Sequence, residues 1–211
     1  MLRDKPYRER IKLVLALLAI WSLLPVFTKA GEATERKDFP EFSFDLPAEG
    51  WKEFPTPKSP GRTQWIFPRG LHSAEVLDIW PVKVPPALQT LSRQQHASKY
   101  FAAERQQPRK AQWEECQEKL LTIGGQSYPV MSHRILSDWG PDKVVFDGVL
   151  LLYFPPDFEK RQQFYALLWQ DMHPSKVEGK GLEKFHAIVQ SFRAKPLIEG
   201  KETPTDLPPK N

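Results

Sequence analysis

Val144–Phe154 reads VVFDGVLLLYF, and Gln163–Asp171 reads QFYALLWQD. Both runs are apolar at odd and even positions alike for much of their length. A strand with one wet face alternates apolar and polar side chains, whereas a strand buried on both faces does not. These two segments are therefore predicted to be the central strands of a sheet.

Shorter strands are predicted around them. Phe42-Ser43-Phe44-Asp45-Leu46 alternates, and Pro47 and Gly50 then turn the chain into Trp51–Phe54. Gln64–Phe67 and Ala74–Val84 are separated by Pro68, Arg69 and Gly70. Pro81 marks the end of the second of these, or an edge position, because proline donates no ladder hydrogen bond. Trp113–Ile123 and Gln126–Leu136 flank Gly124-Gly125, a connection that permits the positive φ of a tight hairpin.

Two helices are predicted. Leu88–Gln107 follows Pro85-Pro86 and stops at Pro108, with Leu88, Leu91, Ser98, Phe101 and Ala102 along one face. In Gly181–Arg193, Leu182, Phe185, Ile188, Val189 and Phe192 form an apolar stripe, the face that packs on a sheet.

The ends read differently. Met1–Lys12 has a basic excess, Leu13–Phe27 is an apolar run, and Thr28-Lys29-Ala30 offers small residues for cleavage after Ala30. This is the pattern of a secretory signal peptide. The same run, uncleaved, is the alternative: an N-terminal membrane anchor, although a full span takes about 20 apolar residues. Residues 31–38 are read as a polar linker, 39–194 as a single folded domain and 195–211 as a disordered, proline-rich tail. Residues 1–30 hold six basic and two acidic residues, which leaves 24 of each in the remainder. The net charge of +4 thus belongs to the leader, and a neutral body gives no basic face for nucleic acid. With Cys116 alone, no internal disulfide forms, and Glu114, Glu115 and Glu118 disfavour a thiolate there.

The opening Phe-x-Leu-Pro-x-x-Gly-Trp of Phe44–Trp51 and the closing Ile-Val-x-Ser-Phe-Arg of Ile188–Arg193 carry a resemblance. Together with the order of strands and helices across 39–194, they resemble the PsbP/Mog/DcrB-like superfamily, closest in type to bacterial envelope members. The resemblance implies an α+β fold: one antiparallel sheet of about six or seven strands flanked by two main helices. It also implies docking to larger partners rather than chemistry.

No catalytic motif is found. The histidines His72, His96, His133, His173 and His186 show none of the spacings that gather metal ligands within one element. Asp171, His173 and His186 could meet if the last strand and last helix adjoin, but no metal site, cofactor or catalytic residue is assigned. Gly125-Gln126-Ser127 lacks the second glycine of a nucleophile elbow. Trp139, in Ser137-Asp138-Trp139-Gly140-Pro141, is predicted to lie in a turn and is the candidate contact for a protein partner. The expected function is that of a non-catalytic, extracytoplasmic envelope protein that binds a protein partner or supports assembly. A small-ligand or metal carrier is the alternative, and a hydrolase comes third. N-terminal sequencing of the purified protein tests the leader: a chain starting at Gly31 means cleavage, and one starting at Met1 or Leu2 means a tether.

Overall fold

The computed structural model describes residues 34–47, 50–54, 61–70, 73–106, 112–139, 142–174 and 182–196, with backbone only at 112–115, 137–139, 142–143 and 182. The strands are β1 (Thr34–Asp38), β2 (Phe42–Pro47), β3 (Lys52–Phe54), β4 (Thr63–Gly70), β5 (Ser73–Lys83), β6 (Gln112–Ile123), β7 (Gln126–Trp139), β8 (Asp142–Tyr153), β9 (Gln163–Pro174) and β10 (Arg193–Ala194). The helices are α1 (Arg93–Gln106), α2 (Phe158–Arg161) and α3 (Leu182–Ser191), with a 3-10 turn at Pro86–Leu88.

Seven strands form one antiparallel sheet in the order β3-β4-β5-β9-β8-β7-β6. The two doubly apolar runs, β8 and β9, lie in its middle. Successive side chains of a strand point to opposite faces, so Val149, Leu151, Tyr165, Leu167 and Trp169 fill one side, packed with Phe42 and Phe44 of β2 and Phe185, Ile188 and Val189 of α3. Leu150, Leu152, Phe164 and Ala166 fill the other, beneath Ala97 and Phe101 of α1 and Phe158 of α2. Each such large apolar side chain contributes about 1.5–3 kcal/mol on burial. The fold is α+β.

A second sheet of three strands, β1-β2-β10, joins the two ends of the described chain. Here the opening and closing motifs meet. Phe192 lies 5.4 Å from the ring of Phe42 and packs edge-on against Tyr153 and Tyr165. Ser191 Oγ accepts from the Asp45 amide at 2.9 Å and donates to the Ile188 carbonyl at 2.9 Å. The last carbonyls of α3 are taken up by arginines: Arg36 reaches Ser191 O at 3.2 Å, and Arg193 reaches Gln190 O at 2.7 Å. Positive charge is favourable at that end of a helix dipole.

Several expectations are corrected. Thr34–Asp38, within the stretch read as a linker, is β1, paired along its length with β2. Its mostly exposed, polar side chains give no strand signal; backbone pairing makes it one. Lys195, placed at the start of the tail, is held by its amide to Glu41 O at 2.8 Å and by Nζ to Asp38 at 2.8 Å; residues 197–211 lie outside the described residues. The first helix begins later than Leu88. Ser92 Oγ accepts from the Gln95 amide and Gln95 Oε1 from the Ser92 amide, a reciprocal cap that fixes the start at Arg93. Its buried face is then His96, Ala97 and Phe101. Strand β5 runs on through Pro81, which pairs with Tyr165 of β9. Pairing with β4 reaches only Ile79, so Pro81 has a strand neighbour on one side alone, the edge position that is the alternative to a strand end. Gly124 and Gly125 form the expected tight turn, with φ of 57° and 80°.

Removing the ring that joins the two motifs should be costly. Phe192→Ala is expected to lower the unfolding free energy by about 3–5 kcal/mol, read by urea denaturation.

Candidate functional site

The densest group of charged side chains lies on the α3 side of the large sheet, one row beyond Trp169. Three registers align it: Arg134 opposite Asp147, Asp147 opposite Asp171, and Asp171 opposite Glu75. Three carboxylates thus stand side by side on β5, β9 and β8. Glu75 and Asp171 are buried, as is His173 two residues further along β9. Directly opposed like charges destabilise a sheet, so cations must enter the row.

They come from three elements, β4, β7 and α3, with His173 of β9 beside them. Arg69, where β4 shifts register between Pro68 and Gly70, bonds Asp171 and lies 3.5 Å from Glu75. Lys184 of α3 reaches Glu75 at 3.4 Å while lying 4.6 Å over the ring of Phe67. Arg134 of β7 donates to both Asp147 oxygens, at 2.7 and 2.9 Å. His173 Nε2 is 2.9 Å from Asp147 Oδ2, and Nδ1 is 3.1 Å from the Pro174 carbonyl. Both of these partners are oxygen acceptors.

Burial pushes the Asp147 carboxyl up, but the hydrogen bonds and charges of Arg134 and His173 outweigh it and hold the group below its usual range. A carboxyl so held stays ionised and cannot serve as an acid near neutrality. The arrangement is one of mutual neutralisation, in which cations and carboxylates clamp five strands and the last helix together. Among the described residues no three His, Cys, Asp or Glu side chains are grouped as metal ligands.

Of the three residues that could have met, Asp171 and His173 share this row. His186, half-buried on α3, enters none of its described bonds. Trp139 is the last residue of β7, opposite Asp142, rather than a turn residue; its side chain lies outside the described set, as does His72. Ser127 stands in β7 and meets Thr122 across the strand pair at 3.2 Å. Cys116 is not in the purely acidic setting expected of it, because Arg105 hydrogen-bonds the thiol and pairs with Glu118.

Sequence reading missed Glu75, Arg69, Arg134, Asp147 and Lys184. Their signal was present: Asp147 interrupts VVFDGVLLLYF at a position whose neighbours two residues away, Val145 and Val149, are buried. An inward charge in an apolar strand needs a partner. Gly148 beside it has a separate reason, since a Cβ there would come within 2.3 Å of the His133 ring. On the α1 side a second group closes similarly. Asp78 accepts from Arg62 and Gln64, and Trp80 Nε1 donates to Tyr100 Oη at 3.0 Å. Burial outweighs Arg62 and raises the Asp78 carboxyl.

No protein-family profile and no curated protein sequence matches this chain. Solved structures do resemble it. Cyanobacterial PsbP (CyanoP) of Synechocystis sp. PCC 6803 is 13% identical with a TM-score of 0.43, over 82% of this chain and 99% of that one. LpqN of Mycobacterium tuberculosis, described as involved in cell envelope biogenesis, is 10% identical with a TM-score of 0.45, over 79% and 93%. A protein of Bacteroides thetaiotaomicron is 13% identical with a TM-score of 0.41, over 77% of this chain and 47% of its own. Each of these is a likeness of chain path alone.

Asp147→Asn tests the clamp. A carboxyl held below its ordinary value of 3.8 stabilises the fold above that pH, and the contribution is lost as pH falls through the lowered value. The variant should therefore unfold at lower urea than the parent at neutral pH, with the gap closing as both are acidified below about pH 4.

Proposed function

We propose that this chain is a non-catalytic envelope protein, exported or tethered by Leu13–Phe27, whose folded body binds a protein partner or supports assembly outside the cytoplasm. The observation that carries this reading is the closure of the charged row. Glu75, Asp171 and Asp147 are each engaged by a cation from another element, so these groups hold the sheet together rather than stand ready for a substrate. A body built in this way acts through its surface.

The leader supports the location. No helix among the described residues is long and apolar enough to cross a membrane, so tethering rests on the segment before them. If that segment is retained, residues 28–33 alone separate Phe27 from β1. Six residues span at most about 22 Å, which would keep the body close to the membrane surface.

Crosslinking of the full chain in its native cells, followed by reciprocal capture from the partner's side, tests the reading. One recurrent envelope protein is expected, lost when Phe192→Ala weakens the body. No recurrent partner, or stoichiometric metal or small molecule retained by the purified chain in native mass spectrometry, would overturn it in favour of a carrier.

A further inference from the structure

Strand β6 ends the large sheet, and among the described residues no strand lies beyond it. Its hydrogen-bond phase follows from the turn. In a two-residue hairpin the flanking residues, here Ile123 and Gln126, form a hydrogen-bonded pair. Counting back in twos, Leu121, Lys119 and Gln117 also direct their N–H and C=O groups to β7. The pairing runs without a shift back to Glu115, so Thr122, Leu120, Glu118 and Cys116 turn theirs to the open edge. Within that outward set stands Leu120, 62% exposed, the one exposed large apolar side chain among the described residues. A long open edge of this kind is a template for another strand.

We propose that β6 pairs with β6 of a second copy of this chain, antiparallel about a two-fold axis at Leu120. The register is self-complementary. Leu120 meets its own copy as a hydrogen-bonded pair, and each Glu118 faces the Thr122 hydroxyl of the other chain, a donor for the carboxylate. Lys119 falls opposite Leu121. Registers centred on Glu118 or Lys119 instead set like charges directly opposite, which is destabilising. The pairing joins two seven-stranded sheets into one continuous sheet. It rests on the strand phase and the exposed leucine, independently of the proposed envelope role.

Sedimentation of the full chain in mild detergent, across a concentration series, tests this. The mass of two chains is expected at high concentration, falling to that of one in Leu120→Lys with an unchanged near-ultraviolet spectrum. A second readout is oxidation of Leu120→Cys made in a Cys116→Ser background. The paired Cα atoms would lie about 5.5 Å apart, so a disulfide dimer should form faster than for Lys83→Cys in the same background. A single-chain mass throughout, or a dimer that survives Leu120→Lys, overturns the proposal.

Discussion

The pairing of β5 with β9 is the contact on which the rest of the molecule depends. Strands β3-β4-β5 form one meander and β6-β7-β8-β9 another, and each is built from neighbours in sequence. The two are joined into a single sheet by ten residue pairs, from Ala74 opposite Met172 to Lys83 opposite Gln163. These partners lie far apart in the chain, so the loop closed to bring them together is long and its entropy must be met first. What offsets it is the apolar surface that closure creates. Leu77 and Ile79 join Leu167 and Trp169 under α3, and neither helix layer has a complete floor until the seam is shut.

The same seam carries the charged row, and that shapes what the row can be. Glu75 and Asp171 face each other across it, so closing the sheet sets two buried carboxylates in contact unless cations arrive with them. Arg69 comes from the first meander, Arg134 from the second and Lys184 from α3. The neutralising set is thus complete only when both meanders and the last helix are in place. Removing one partner of such a buried set leaves a charge uncompensated, at a cost of about 3–5 kcal/mol. The row therefore couples three structural units through charge, as the cluster of Phe42, Phe192 and Tyr165 couples the two ends of the described chain through packing.

Where local pattern decides structure, the sequence could be read directly. The doubly apolar β8 and β9, the stripe of α3 and the two glycines after Ile123 each carry their own signal. So do the opening and closing motifs, which prove to be two sides of one contact. Elsewhere the deciding partner is distant. Thr34–Asp38 is polar and becomes a strand because β2 offers it an edge. The start of α1 was legible in Ser92 and Gln95, but the prolines before them gave the more conspicuous and misleading signal. The charged row was half legible. Asp147 and Glu75 announce themselves as inward charges in apolar strands, yet which cation answers which carboxylate follows only from registers across five strands.

That division explains why buried charge is retained where apolar residues would pack more simply. An alternating pattern has a period of two, so it forbids a slip of β5 along β9 by one residue, which would turn every core side chain outward. It says little against a slip by two. Moved two places, Glu75 would face Trp169 or His173 instead of Asp171, and Arg69 could no longer bridge the two carboxylates. The charged row thus distinguishes the registers that hydrophobic patterning leaves degenerate. In this chain it does so at the strand pair that joins the two meanders, which local sequence cannot align.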